Sequence, residues 1–118
     1  MDYLNYLLMG LFIFLLVQRL LPARGVRQIS TTDLKKELKD KNKQLIDVRT
    51  PGEFAANHIR GFKNIPLNKI SRKASDLLKE KEVVLICQSG TRSNKASKIF
   101  KKLGFKQITN VKGGMKAW

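Results

Sequence analysis

The sequence predicts an α/β fold in three layers. A mostly parallel central sheet carries helices on both faces, and one transmembrane helix precedes it. Three observations lead there. Strand-like and helix-like segments alternate from Val26 to the C-terminus, the pattern of parallel strands joined by helical crossovers. Val83-Val84-Leu85-Ile86 is an unbroken apolar run between polar residues, which suits a central strand covered on both faces. Residues 3–21 are almost wholly apolar and stand outside that alternation.

The apolar segment divides the chain into an anchor at 1–23 and a domain at 24–118. From Tyr3 to Val17 only Asn5 is strongly polar. With Leu20 and Leu21 the stretch reaches about 19 residues, close to the roughly 20 a helix needs to cross a bilayer core. Arg19 can snorkel to the headgroups, and Pro22 and Gly25 end the helix. A signal peptide is the competing reading, but the start is Met1-Asp2 without a base, and Leu20-Leu21-Pro22-Ala23 is a poor cleavage site. A core helix is the other alternative, and the rest of the chain is too short to cover it on all sides. No Lys or Arg precedes the span, whereas Arg19, Arg24, Arg27, Lys35 and Lys36 follow it. The positive-inside rule then puts the C-terminal domain in the cytoplasm.

The domain opens with a strand at Val26–Ile29. Ser30 caps a helix expected over Thr31–Lys41, with Asp33 as capping-box partner and Leu34 and Leu38 on one face. Gln44–Val48 is a buried strand. Thr50-Pro51-Gly52-Glu53 is a helix start with a cap, a proline in the first turn and a closing carboxylate. Asn64–Leu67 is a short strand, and Lys69–Lys79 reads as a helix through Ile70, Ala74, Leu77 and Leu78. After the strand at Glu82–Ile86, Thr91–Leu103 is helical, with Ala96, Ile99, Phe100 and Leu103 as its apolar stripe and Gly104 as C-cap. A last strand begins over Phe105–Thr109, Gly113-Gly114 turns, and Met115–Trp118 closes the chain.

The chain holds 24 Lys and Arg against 9 Asp and Glu, a net charge of +15. These charges are scattered, with no zinc-finger spacing, RNP-like aromatics or long basic helix, so nucleic acid is not an expected partner. They suit an anionic leaflet or small anionic substrates. Cys87 is the only cysteine, which excludes an intramolecular disulfide and points to a reducing compartment.

The chemistry gathers at Cys87. Ligands of open α/β sheets bind beyond the carboxyl ends of the strands, and Cys87 stands at such an end. Gln88-Ser89-Gly90-Thr91-Arg92-Ser93 then turns from strand into helix. Inward N–H groups of such a turn form an anion nest, the following helix adds its positive dipole end, and Arg92 adds a cation. Together they favour the thiolate, the reactive form. A core cysteine would have no need of this polar, glycine-containing turn.

Several ordered segments resemble the rhodanese-like domain family. They are Leu45-Ile46-Asp47-Val48-Arg49 with Pro51-Gly52-Glu53-Phe54; His58-Ile59-Arg60-Gly61 with Asn64-Ile65-Pro66-Leu67; Val83 to Ser93; and Gly104-Phe105 with Gly113-Gly114-Met115-Lys116-Ala117-Trp118. The resemblance spans nearly all of 26–118. It implies a sulfurtransferase in which a small anionic donor such as thiosulfate leaves a sulfur on Cys87 as a persulfide. Gln88, Ser89, Gly90, Thr91 and Arg92 would bind the substrate, with Asp47, Arg49 and Ser93 in support. A thiol or cyanide then accepts the sulfur in a second step. No metal or organic cofactor is implied. The C-x4-R spacing from Cys87 to Arg92 is one residue shorter than the C-x5-R loop of the related dual-specificity phosphatases, and suits sulfur. Arg49 and Glu53 are placed to pair across the strand-to-helix turn and Asp47 to lie near the loop, but the reading favoured for each is a surface or supporting charge; His58 and Trp118 are expected to be structural. Arg60 stands where the family usually has proline, and Asn57 where glycine is common. The alternative function is a membrane-tethered binding module or persulfide carrier with little turnover.

Overall fold

The computed structural model describes residues 2–21 and 24–118. Pro22 and Ala23, the expected helix stop and the end of the expected anchor, lie outside the described residues. Helix α1 (Asp2–Leu20) is followed by β1 (Val26–Ile29), α2 (Thr31–Glu37), β2 (Gln44–Asp47), α3 (Pro51–Ala56), β3 (Lys63–Asn64), α4 (Ile70–Lys73), β4 (Val83–Ile86), α5 (Thr91–Lys102), β5 (Ile108–Val111) and α6 (Gly114–Ala117).

The five strands form one sheet in the order β1-β5-β4-β2-β3, and every pairing is parallel. β4 is therefore central, with Leu85 level with Ile46 on one side and Asn110 on the other. All four of its residues are buried, as its unbroken apolar run requires. Alternation along the strands sends side chains to two cores. Ile46, Val83, Leu85 and Ile108 meet Ile70 and Ala74 of the α4 segment and Ala96 and Phe100 of α5. Val84, Ile86, Ile29 and Val111 meet Leu34 of α2, Phe54 of α3 and Met115 of α6. The chain thus crosses the sheet with helices on one face and returns with helices on the other, as right-handed crossovers demand.

α1 is 19 residues long and apolar enough to cross a membrane by length and composition. None of its residues is buried. Its last turn reaches the end of the sheet where the strands finish. There Leu21 O accepts from Asn94 Nδ2 at 3.1 Å, and Arg19 and Leu20 line a cavity of about 230 Å³ with Gly90, Thr91 and Gly113.

Four expected elements change shape. The strand expected over Asn64–Leu67 is only Lys63–Asn64, and Leu67 instead opens a 3-10 turn. The helix from Thr31 ends at Glu37 with Leu38 as its cap, because Asp40 accepts from Asn42 N at 2.9 Å and turns the chain. The helix expected over Lys69–Lys79 is broken into a 3-10 turn at Leu67–Lys69, α4, and a second 3-10 turn at Ala74–Asp76. Ser75 there bonds back to Arg72 O. Ile70 and Ala74 of the segment are buried and Leu77 packs against the same core, whereas Leu78 is 62% exposed. The last strand begins at Ile108 because Phe105 turns inward, edge-on to Phe100 with ring centroids 4.9 Å apart.

At the N-terminal ends of the strands, Arg27 bonds Glu37 and Glu82, and Lys43 bonds the same two carboxylates. Thr109 Oγ1 also donates to Glu82 at 2.7 Å. The hydrogen bond from Arg27, reinforced by Lys43, holds Glu37 down at about 2. Burial opposes ionisation of Glu82, but bonds from Thr109, Arg27 and Lys43 outweigh it and hold its carboxyl below the usual range. This cluster joins β1, α2, β2, β4 and β5 at the end of the sheet away from Cys87.

Phe100 is fully buried on α5. Phe100→Ala is expected to destabilise the domain by about 3–5 kcal/mol, read as a lower urea midpoint with an unchanged slope.

Candidate active site

Parallel strands collect their carboxyl ends on one edge, and Cys87 follows β4 at the middle of it. Cys87 is completely buried, on the face that α4 and α5 cover. Gly90 has φ 101° and caps α5. That left-handed turn, natural to glycine, reverses the chain and brings the Gly90 N–H to 3.0 Å from Cys87 Sγ. The thiol donates to Ser93 Oγ at 3.3 Å, and the Ser93 hydroxyl donates to Gly90 O at 3.1 Å. Sulfur, hydroxyl and turn therefore form one closed set of bonds. Gln88 and Ser89 are exposed above the buried sulfur.

The loop is braced from below by the C-terminal turn. Met115 N donates to Cys87 O at 2.8 Å and Lys116 N to Gln88 O at 2.9 Å. Gly114, at φ 56°, packs so closely that a Cβ there would overlap the Cys87 carbonyl oxygen and stand 2.9 Å from the Gln88 carbonyl carbon.

Arg92 lies beside the loop, but its guanidinium is not a free cation. Nη1 and Nη2 bond the two oxygens of Glu53 at 2.6 and 2.9 Å, the bidentate geometry that suits Arg and carboxylate. The Arg92 bond, with help from the Thr50 N–H, holds Glu53 down at about 2. Arg92 is raised in turn, chiefly by Glu53 and less by Cys87 and Asp47.

The family model for the rhodanese-like domain matches residues 30–118. The chain belongs to the rhodanese-like domain family. It is 44% identical over 75 residues to uncharacterized protein YqhL of Bacillus subtilis, covering 64% of this chain and 60% of that one. It is 33% identical over 94 residues to a sulfurtransferase of Allochromatium vinosum, covering 79% of this chain and 88% of that one. Its fold matches the crystal structure of a rhodanese-like domain protein from Staphylococcus aureus with a TM-score of 0.73 at 34% identity, over 79% of this chain and 91% of that one. The chain thus spans less than two thirds of YqhL and most of the other two.

Within this rhodanese-like domain, Gly90 and Ser93 of the expected Cys87–Ser93 loop bond the sulfur directly. Arg49 and Glu53 do not pair. Glu53 turns to Arg92, while Arg49 Nε and Nη2 bond Asp47 at 2.8 to 3.1 Å and Nη2 also donates to Asn57 O at 2.6 Å. Asp47 is fully buried and also accepts from Arg49 N. It fixes the turn that aims α3, and α3 carries Glu53 to the loop. The contacts of Asp47 are therefore with the turn and not with the sulfur. Asn64 completes that turn by donating to Asp47 O and Arg49 O at 3.0 and 2.9 Å. His58 stacks on Phe54 with centroids 3.8 Å apart and bonds Phe54 O through Nδ1. Trp118 is 41% exposed, with Lys35 Nζ 5.1 Å from its ring centroid. Sequence reasoning missed Asn64, the Glu53–Arg92 pair and the close packing of Gly114. Only the Gly113-Gly114 doublet signalled the last, as a turn.

Two outcomes follow. The Glu53 carboxyl lies below its ordinary value of 4.5, so its bond to Arg92 stabilises the fold fully above pH 4.5 and loses that effect as pH falls through about 2. Carboxyl carbon NMR should show a Glu53 midpoint near 2 that returns toward the ordinary value in Arg92→Gln. Gly114→Ala should cost more than about 1 kcal/mol in urea unfolding. Gly52→Ala, where a Cβ meets nothing within 4 Å, should cost less.

Proposed function

We propose that the protein is a sulfurtransferase that carries sulfur as a persulfide on Cys87, with thiosulfate as donor and a thiol or cyanide as acceptor. The observation that supports this most directly is the Cys87 sulfur at the end of the central strand, held 3.0 Å from the Gly90 N–H beneath a polar turn. The Cys87 thiolate attacks the outer sulfur of thiosulfate. A new S–S bond forms, the old one breaks, and sulfite leaves with its electron pair. The acceptor then attacks the outer sulfur of the persulfide, and Cys87 leaves as thiolate. Nothing is oxidised or reduced overall, so the reaction needs no redox cofactor.

The turn takes part in each step. The Gly90 N–H stabilises negative charge on the sulfur, as preorganised backbone donors do. Ser93 can rotate its hydroxyl toward the thiolate once the thiol proton is gone. Gln88, Ser89, Thr91 and Arg92 bind the donor at the mouth, with Arg92 keeping its position through Glu53. Asp47 and Arg49 support the turn that leads to Glu53.

α1 spans a membrane and leaves the domain on the cytoplasmic side, supported by its apolar length and by basic residues that begin only in its last turn, at Arg19.

Intact-protein mass spectrometry of the full chain in detergent, after brief exposure to thiosulfate, tests the chemistry. The wild type should gain one sulfur atom and lose it to cyanide, and Cys87→Ser should gain none. A folded wild type that gains no sulfur would remove thiosulfate transfer and favour the binding-module alternative.

A further inference from the structure

A cavity of about 570 Å³ opens beside the Cys87 loop, between the turns after β2 and β3 and the flank of α5. Its apolar lining includes Val48, Pro66, Leu67 and Ile99. Leu67 and Ile99 pack on the same core cluster that contains Cys87. Three cations line it as well: Lys69, Lys95 and the loop's own Arg92, and no lining residue is acidic. Glu53 neutralises Arg92. Among the described residues neither Lys69 nor Lys95 has a carboxylate partner, in contrast to Lys43 and Lys106. Lys95 is exposed, and Lys69 is half-buried over the apolar wall.

We propose that this groove docks an acidic, partly apolar segment of a sulfur-accepting protein, whose thiol takes the sulfur from Cys87. The inference rests on the persulfide reading above and names its acceptor class. Cyanide or a small thiol would not require a groove of this size. An extended segment can lay apolar side chains against Val48, Leu67 and Ile99 while its carboxylates meet Lys69 and Lys95. Cations at such a rim raise the encounter rate and select partners of opposite charge. Arg92 belongs both to the groove lining and to the segment that follows Cys87. In the transfer, the partner's thiolate attacks the outer persulfide sulfur, Cys87 leaves as thiolate, and the partner carries the new persulfide.

The test uses the full chain in detergent and two synthetic cysteine peptides of equal length and equal apolar content, one rich in Asp and Glu, the other in Lys. The readout is the ratio of kcat/KM for acidic over basic peptide, in wild type and in Lys69→Glu/Lys95→Glu. Intrinsic differences in peptide thiol ionisation cancel in that comparison. The double variant should lower the ratio by at least about tenfold, and added salt should shrink the difference. A fluorescent serine version of the acidic peptide, which cannot accept sulfur, should bind wild type more tightly than the variant. Equal ratios and equal binding in the two proteins would overturn the inference. So would a variant that loses binding to anionic vesicles while its peptide ratio stays unchanged, which would make this a membrane-facing surface. Mass spectrometry of sulfur loading separates the two readings. Without loading, sulfur transfer from thiosulfate fails, while peptide docking is still decided by the binding arm. With loading and an unchanged ratio, only the groove fails.

Discussion

The close approach of Gly114 to the Cys87 carbonyl is the constraint on which the site depends. Two backbone segments meet there with no room for a side chain, and the N–H groups of Met115 and Lys116 complete the contact. The carbonyls of Cys87 and Gln88 are thereby fixed from below, which leaves the turn above them one way to run. Gly90 takes its left-handed conformation and aims its N–H at the sulfur. The sheet supplies the position and the C-terminal turn supplies the orientation. The Cys87 sulfur is positioned by backbone packing more than by a charged neighbour.

Charge is arranged differently at the two ends of the sheet. At the end away from Cys87, Arg27, Lys43, Glu37 and Glu82 share four contacts across several elements, a cross-brace between strands distant in sequence. At the Cys87 end the pairs are separate from one another. Asp47 and Arg49 are two residues apart and almost wholly buried. Burial of such a pair adds little net stability, because desolvation offsets the attraction, yet losing one partner costs about 3–5 kcal/mol. Its value here is geometric, since it sets the direction of α3. Glu53 and Arg92 are about two thirds buried and tie α3 to the loop.

The sequence revealed its elements best where a local pattern coincided with burial. The capping boxes at Ser30 and Thr50 are both formed, because their partners lie three residues away and need no tertiary help. The run Val83–Ile86 announced its central place because both faces of that strand are covered. The segment from Lys69 misled, because helical spacing of Ile70, Ala74, Leu77 and Leu78 does not say whether a surface waits to receive them. Leu78 found none. The loop was legible as a contiguous polar turn after a strand. The choice of partners for Arg49, Glu53 and Asn64 was not, since several charged and polar groups crowd the same turns and only the tertiary distances decide between them. Gly114 was illegible for a related reason: its neighbour is Cys87, far away in sequence.

The strand order has a temporal side. β1 is the first strand to be synthesised, and its partner in the sheet is β5, the last. The segment that braces the Cys87 loop is made later still. Emerging from the ribosome, the chain therefore presents an unpaired edge and a cysteine whose turn has nothing beneath it. Neither is secured until residues 108–117 arrive. Completion of the sheet and completion of the site are one late event in vectorial synthesis, so a nascent fragment with every loop residue present would still lack a braced Cys87 loop.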